Sequence, residues 1–239
     1  MKGTITHFQK DGRPVSVYLP KTADRLIPVV YMLAGPDPGL ELTGPAERAE
    51  AATESGECRP FIAVAAGTRH WNSDYAPWPA PPLLDSEPPF TGGASDLLRW
   101  LTEDLMPFIE GEFPVQAGAH GRAVLGYSLA GLAALYAMYV TDAFIACGCC
   151  SGSMWYDGWP EFMAANSPRP GSRIYLSLGK KEEKARNPRM AAVGDATRAA
   201  HARLSADANV AETALIWHDG GHFSAVPARV SAAMTWLSR

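Results

Sequence analysis

The chain has 239 residues, of which 47% are hydrophobic and 19% charged, and its formal net charge is −4. This balance suits one globular domain over residues 1–239, with roughly 70–75% of the unfolded surface buried on folding. The sequence contains no basic block, so we expect no nucleic-acid partner. No apolar run is long enough to span a bilayer, and the N-terminus lacks the apolar stretch of a secretory signal. We therefore expect a cytoplasmic protein without a membrane partner, and make no prediction of oligomeric state.

The N-terminal residues carry a hairpin signature. Residues 4–8 and 15–19 alternate apolar and polar side chains on either side of Asp11-Gly12. This pattern predicts two antiparallel strands at a sheet edge. Residues 28–33 form a continuous apolar run, which predicts a fully buried strand.

The next segment alternates loop, helix and strand signals. Residues 34–39 are rich in Gly and Pro, which predicts a loop. Residues 45–55 are rich in Ala and Glu and predict a helix, and residues 61–65 predict another short buried strand.

Residues 66–93 have no regular period and combine many prolines with aromatic side chains, including Trp78. A long irregular segment of this kind is often functional. Its aromatic side chains could wall a pocket, which makes Trp78 a candidate for substrate contact. The alternative interpretation is a compact Ω-like loop that packs on its own side chains.

The rest of the chain alternates helix and strand signals. The predicted elements are a helix at 94–113 with a kink at Pro107, a strand at 123–126, a helix at 129–139, strands at 144–149 and 174–178, a helix at 190–204, a strand at 211–217 and a helix at 227–237. This alternation predicts an α/β fold, with a mostly parallel central sheet, an antiparallel N-terminal hairpin and helices on both faces. Ligands bind such sheets beyond the carboxyl ends of the strands.

One strand-to-helix turn carries a candidate nucleophile. Gly126-Tyr127-Ser128-Leu129-Ala130 follows a short apolar run and precedes a run of small, helix-forming residues. It is close to the Gly-x-Ser-x-Gly nucleophile elbow of α/β-hydrolases, with Ala130 in place of the last glycine. The alternative is that Ser128 only caps the following helix.

A reactive serine needs a base, and a carboxylate usually orients that base. In α/β-hydrolases the chain order is serine, acid, histidine. His222 lies between the last predicted strand and the last helix, where the base is expected. Glu182 follows the strand that normally precedes the acid, with Glu183 and Asp195 as alternatives, and a Ser-His dyad without an acid is a further alternative.

Other interpretations of the histidines are weaker. His70 and His218 are rivals for the base, and His218 could also lie in a supporting position. His218 and His222 resemble a zinc pair, but such a pair needs a helix, and Gly220 and Gly221 disfavour one. We therefore predict no metal and no cofactor.

Two backbone N–H groups are expected to bind the oxyanion. The first is Leu129 N–H, directly after the nucleophile. The second should come from the loop after residue 33. Because Pro36 has no N–H, Gly35 or Asp37 must supply it.

The four cysteines do not form an obvious site. Cys147, Cys149 and Cys150 crowd one predicted strand, where neighbours point to opposite faces and pair poorly as disulfides. A zinc site would need a second ligand pair, and only Cys58 remains. We expect small, buried, reduced thiols.

Several segments together resemble the putative esterase family of α/β-hydrolases, which includes esterase D-like enzymes, siderophore esterases and mycolyl-transferring esterases. The matching segments are Tyr-Met-Leu-Ala-Gly (31–35), Gly-Tyr-Ser-Leu-Ala-Gly-Leu (126–132), Ser-Gly-Ser-Met-Trp-Tyr (151–156), Leu-Gly-Lys-Lys-Glu (178–182) and Gly-Gly-His-Phe (220–223). The resemblance implies Ser128 as nucleophile, His222 as base and a carboxylate at Glu182. Siderophore esterases are the most similar members.

The sequence therefore predicts a serine esterase that acts on a small-molecule ester through an acyl-enzyme. Met154, Trp155 and Tyr156 join Trp78 as candidates for pocket walls, although each could equally belong to the core. The alternatives are an acyltransferase that uses the same acyl-enzyme, and a hydrolase-fold protein that binds a ligand without turning it over.

Overall fold

The computed structural model, which describes residues 1–21, 26–84 and 86–239, is organised around an eight-stranded sheet. The strands in chain order are β1 (Thr4–Lys10), β2 (Arg13–Leu19), β3 (Val29–Ala34), β4 (Ile62–Gly67), β5 (Pro79–Ala80), β6 (Phe90–Thr91), β7 (Arg122–Tyr127), β8 (Ala146–Cys150), β9 (Ser172–Gly179) and β10 (Val210–His218). Strands β5 and β6 pair separately as a short antiparallel ribbon.

The strand order in the large sheet is β1-β2-β4-β3-β7-β8-β9-β10. Strand β2 pairs antiparallel with β1 and with β4. Every pairing from β4 to β10 is parallel. The predicted mostly parallel sheet with an antiparallel N-terminal hairpin is confirmed, and it brings the loops after β3, β7, β8, β9 and β10 to one edge.

Helices cover both faces of the sheet. They are α1 (Pro38–Glu54), α2 (Trp71–Asp74), α3 (Ala94–Trp100), α4 (Met106–Glu112), α5 (Leu129–Val140), α6 (Trp159–Ala165), α7 (Pro188–Ala191), α8 (Val193–Ala206) and α9 (Val226–Leu237). Helices α1 and α9 contribute to one apolar core, and α3, α4, α5, α6 and α8 contribute to the other. Among the described residues, no helix has both the length and the apolar character needed to cross a membrane.

Helix α1 begins earlier than the sequence indicated. The prediction that all of residues 34–39 form a loop was wrong at both ends, because Ala34 is the last residue of β3 and the helix starts at Pro38. Asp37 caps the helix, and its side chain accepts a hydrogen bond from Leu40 N–H at 3.1 Å. Pro38 fits the first helical position, where no N–H is needed, and Pro45 lies inside the helix rather than at its start.

The predicted helix at 94–113 is helical but not uniform. Between α3 and α4 lies a π turn, Leu101–Leu105, in which Met106 N–H bonds the carbonyl of Leu101. Pro107 follows this turn at the start of α4. The wider turn thus lies where the sequence predicted a kink.

The cysteine prediction is confirmed. All four side chains, Cys58, Cys147, Cys149 and Cys150, are free thiols and buried. Burial raises the pKa of Cys150 to about 12, although hydrogen bonding by Ser177 and the charge of Arg229 act in the opposite direction. These thiols are therefore protonated at neutral pH and serve as small core residues.

The turn between β7 and α5 requires a close backbone approach. A Cβ atom on Gly126 would lie 2.1 Å from the carbonyl oxygen of Ala130, so only glycine fits. Ala130 itself is fully buried and is accommodated without a glycine. The substitution of the last glycine of the elbow motif therefore leaves the turn intact.

We expect Gly126→Ala to lower the free energy of unfolding by about 1–3 kcal/mol or more, because the obstructing atom belongs to the backbone. Denaturant unfolding measures the change. Gly111→Ala is the control, since a Cβ atom there would meet nothing within 4 Å. Equal stability of the two variants would show that the close approach at Gly126 is unimportant.

Candidate active site

Ser128 stands alone between the end of β7 and the start of α5. Its backbone has φ 59° and ψ −125°, a conformation that residues other than glycine rarely adopt. Three backbone hydrogen bonds fix it: Ser128 N–H donates to Cys150 O at 2.9 Å, and Ser128 O accepts from Leu132 N–H at 3.1 Å and Ser153 N–H at 3.2 Å. This is the geometry of a nucleophile elbow rather than of a simple helix cap.

His222 lies in the loop between β10 and α9, within reach of Ser128. Its Nε2 atom is 3.0 Å from Ser128 Oγ, and its Nδ1 atom is 2.7 Å from Glu182 Oε2. Tyr127 Oη donates to the carbonyl oxygen of His222 at 2.5 Å, which fastens the loop to the end of β7. Gly220 has φ +93°, so the turn before His222 needs a glycine.

Glu182 is buried at the start of a 3₁₀ turn, Glu182–Lys184, that follows β9. Its Oε1 atom accepts from Gly179 N–H at 2.7 Å, Ser151 Oγ at 2.6 Å and Arg229 Nη2 at 3.1 Å. Burial alone would raise the pKa of Glu182, but hydrogen bonds from His222, Ser151 and Gly179 lower it to about 2. Glu182 is therefore ionised at neutral pH.

The other two candidate acids lie elsewhere. Glu183 pairs with Arg198 at 2.6 Å, and Asp195 pairs with the same arginine at 2.8 Å with 95% of its side chain exposed. Of the three acids considered from the sequence, Glu182 is the one that contacts His222.

Among the described residues, neither rival histidine forms a hydrogen bond with Ser128, whereas His222 does. His218 ends β10, where its Nε2 atom is 3.4 Å from Tyr175 Oη. Because His218 lies on a strand and His222 in a loop, the two do not share a helix face as a zinc pair would require. His70 precedes the short helix α2.

The expected oxyanion donors differ in availability. Leu129 is the first residue of α5, so its N–H lies at a helix N-terminus beside Ser128. Gly35 N–H instead donates to Glu41 Oε1 at 2.8 Å, and Asp37 caps α1. In this structure a carboxylate therefore occupies Gly35 N–H, one of the two donors that the sequence offered for the oxyanion.

Glu41 was missed by sequence analysis because residues 34–39 were interpreted as a loop without a helix start. Glu41 is an exposed residue in the first turn of α1, although its carboxylate contacts Gly35. Partial removal of its carboxylate from water raises the pKa of Glu41, an effect that Gly35 N–H opposes and the charge of Asp37 reinforces. Glu41 thus holds its bond to Gly35 less firmly as pH falls.

The four candidate pocket residues divide into two groups. Met154 and Tyr156 are each 1% exposed and pack in the main core, so neither presents surface to a ligand in this structure. Trp78 and Trp155 are partly buried at its border. Trp78 packs against Tyr156 and accounts for part of an aromatic cluster with Tyr136, Trp159 and Phe162.

The irregular segment 66–93 contains short regular elements, and its role as a pocket wall stays a prediction. Its described residues pack internally, through α2 and the β5–β6 ribbon, and Trp78 Nε1 donates to Asp157 O at 2.8 Å. Trp155 lies under the guanidinium of Arg189 at 5.1 Å. Substrate contact by Trp78 or Trp155 stays a prediction.

Ser151 and Arg229 were also absent from the sequence-based site. Both contact Glu182 Oε1, and Arg229 Nη2 also donates to Ser151 Oγ. Ser151 is the first residue of the segment 151–156, one of those that carry the resemblance to the esterase family. Arg229 lies in a predicted helix, where an arginine usually indicates a solvated face, and no local pattern marks it as buried.

A sequence profile described as "Putative esterase" matches residues 7–224. The chain belongs to the putative esterase family. The family resemblance predicted from the sequence is thereby confirmed, and the protein is a hydrolase of the esterase type. The "Uncharacterized protein YbbA" of Bacillus subtilis is 28% identical over 187 residues, which are 76% of this chain and 74% of that protein.

Solved structures share the fold of this esterase at low sequence identity. The siderophore hydrolase EstA from Aspergillus nidulans aligns with a TM-score of 0.77 and 18% identity, covering 99% of this chain and 94% of that one. An IroE-like serine hydrolase from Shewanella oneidensis aligns with a TM-score of 0.82 and 17% identity, covering 99% and 80%. The predicted α/β-hydrolase fold is confirmed.

The depressed pKa of Glu182 predicts a pH-dependent contribution to stability. The carboxylate stabilises the folded state above its ordinary pKa of 4.5, and this contribution is lost as pH falls towards about 2. We therefore expect the difference in unfolding free energy between wild type and Glu182→Gln to be largest above pH 4.5 and to shrink below it.

Chemical denaturation at a series of pH values measures this difference. Glu183→Gln is the matched control, because its carboxylate pairs with Arg198 nearer the surface. A difference for Glu182→Gln that stays constant through the acid range would contradict the assignment of a strongly stabilised carboxylate.

Proposed function

We propose that this member of the putative esterase family hydrolyses carboxylic esters through a covalent acyl-enzyme on Ser128. The supporting observation is the chain of hydrogen bonds from Ser128 Oγ to His222 at 3.0 Å and from His222 to Glu182 at 2.7 Å. A serine hydroxyl becomes nucleophilic when a neighbouring imidazole accepts its proton, and a carboxylate on the far nitrogen fixes the tautomer.

In the first half of the reaction, Ser128 Oγ attacks the ester carbonyl carbon while His222 Nε2 takes the hydroxyl proton. The ester C–O bond then breaks, and His222 gives the proton to the departing alcohol. In the second half, His222 takes a proton from water, which attacks the acyl-enzyme. The proton returns to Ser128 Oγ as the acid product leaves. Glu182 stays ionised and stabilises the imidazolium form of His222 in both halves.

The oxyanion of each tetrahedral intermediate would lie against Leu129 N–H and a second donor. We propose Gly35 N–H for this role, because it follows β3 at the same sheet edge as Ser128. This role requires Glu41 to release Gly35 N–H when substrate arrives. In the absence of substrate, Glu41 Oε1 would occupy the oxyanion site, since a carboxylate oxygen resembles both the oxyanion and the acid product.

The substrate that we propose is a small-molecule ester of the siderophore type. The support is the similarity of fold to the siderophore hydrolase EstA, which spans 99% of this chain. The same acyl-enzyme could pass its acyl group to an alcohol, and partition of the acyl group between water and added alcohols separates hydrolase from acyltransferase.

Labelling with a fluorophosphonate tests the nucleophile. We expect the probe to attach to Ser128 alone, as read by digestion and mass spectrometry, and Ser128→Ala to abolish both labelling and hydrolysis of p-nitrophenyl esters. His222→Gln should lower kcat/KM by at least about a thousandfold, because the hydroxyl then has no base. Ser205→Ala, an exposed serine on α8, is the control.

Equal hydrolysis by wild type and Ser128→Ala would remove the acyl-enzyme mechanism. It would favour the alternative of a hydrolase-fold protein that binds a ligand without turning it over.

Glu41→Ala tests whether the carboxylate competes for the oxyanion donor. Freeing Gly35 N–H should raise kcat/KM by about two- to tenfold at neutral pH, because the competent state no longer has to displace an internal ligand. Glu47→Ala, exposed on the same helix, should leave kcat/KM unchanged. A fall in kcat/KM for Glu41→Ala would show that Glu41 supports the loop instead of obstructing it.

A further inference from the structure

Arg229 is an arginine in an unfavourable position. Its side chain is 1% exposed, and it lies in the first turn of α9, where the helix dipole disfavours a cation. Burying a charge is costly unless it is paired and hydrogen-bonded. The position therefore calls for compensating contacts, and these contacts all lead to the candidate active site.

The guanidinium of Arg229 joins four segments at the sheet edge. Nη2 donates to Ser151 Oγ, just after β8, and to Glu182 Oε1 at 3.1 Å, after β9. Nη1 donates to Gly221 O at 3.3 Å, directly before His222. The guanidinium carbon lies 5.2 Å from the ring centroid of Tyr127, directly before Ser128. One buried cation thus contacts the candidate acid and a neighbour of each of the other two members.

We propose that Arg229 is the positioning residue of this site, which holds Glu182 as an anion directed at His222. The proposal rests on the proposed function, because it assigns Arg229 a role in the Ser128–His222–Glu182 mechanism. Arg229 moves no proton itself, since a guanidinium does not deprotonate in proteins.

The reasoning is electrostatic. A lone buried carboxylate beside His222 would favour the imidazolium form at rest, and a protonated imidazole cannot accept the proton of Ser128. A cation on the far side of Glu182 offsets that effect. It also leaves the Oε2 atom of Glu182 free for His222, because Arg229, Ser151 and Gly179 all bind Oε1. Loss of the cation should therefore favour the protonated imidazole, which is the form that cannot act as the base.

The other titratable groups near Arg229 are uncharged at neutral pH. Burial raises the pKa of Tyr127 and of Cys150 to about 12, and it raises that of Tyr175 further. Burial, with the charge of Arg229, lowers the pKa of His218. In the loops beside His222, Lys180 and Asp219 pair with each other at the surface at 2.7 Å. Glu182 and Arg229 are therefore the buried charged pair that acts on His222.

The test compares Arg229→Met, which removes the charge, with Arg229→Lys, which keeps it. We expect Arg229→Met to lower kcat/KM about 10–100-fold at neutral pH and to move the acid limb of its pH profile up by about one pH unit. Arg229→Lys should leave the acid limb of the pH profile where it is in the wild type and should retain part of the wild-type kcat/KM. Arg198→Met is the control, because Arg198 pairs with Glu183 and Asp195 near the surface.

A uniform loss of rate for Arg229→Met, with the acid limb unmoved, would overturn the proposal in favour of a packing role. So would equal acid limbs for Arg229→Met and Arg229→Lys that both differ from wild type, since the retained charge would then have no effect.

Two further measurements keep the proposal testable. If Arg229→Met does not fold, the double variant Arg229→Met/Glu182→Gln removes both buried charges, so that neither is left unpaired. Its kcat/KM should be close to that of Glu182→Gln alone, because Arg229 acts through Glu182. A further large fall in the double variant overturns the proposal.

The second measurement separates this inference from the proposed function. An NMR titration follows the imidazole of His222 in a Ser128→Ala background, where no turnover occurs, and His222→Gln assigns the signal. The pKa of His222 should be higher with Arg229→Met than with Arg229 present, even if Ser128 proves not to be the nucleophile. An unchanged pKa refutes the role of Arg229 whatever the labelling of Ser128 shows.

Discussion

The site depends on a single tight turn, in which the backbone at Gly126 approaches Ala130 so closely that no Cβ atom fits. At this turn the chain passes from β7 into α5 through the one residue Ser128, which has a positive φ of 59°. The rest of the site depends on the direction in which this turn points the Ser128 hydroxyl. The hydroxyl leaves the sheet at the carboxyl edge of β7, where the loops after β9 and β10 deliver Glu182 and His222.

The charged groups around this turn form a row in space that leads to Ser128. A buried cation, Arg229, contacts a buried anion, Glu182, which contacts the imidazole that faces Ser128. Buried ion pairs of this kind contribute little net stability compared with apolar side chains, because both groups lose their hydration. Their value here lies in fixing geometry and protonation, which an apolar replacement could not do.

Much of this arrangement is visible in the sequence. The strand signals, the elbow around Ser128 and the glycines before His222 are local patterns. Such patterns can be recognised from neighbouring residues in the sequence alone. Glu182 was harder to choose, because Glu183 and Asp195 fit the same position in the order of residues. Their separation depends on which side chain turns inwards after β9, which is a tertiary property.

Arg229 and Ser151, which the sequence did not indicate, act across long separations. Arg229 and Ser151 are 78 positions apart, and Arg229 and Glu182 are 47 apart. Glu41 was hidden for another reason: its bond to Gly35 exists because α1 begins at Pro38, whereas composition suggested a start at Pro45. A neighbouring proline can thus mark either the start or the interior of a helix.

The backbone of Ser128 carries a last consequence. Its conformation is one that glycine adopts freely, and it is held by backbone atoms of Cys150, Leu132 and Ser153 rather than by its own side chain. The fold would therefore gain stability from a glycine at the position where chemistry demands a hydroxyl, so reactivity and durability are opposed at this one residue.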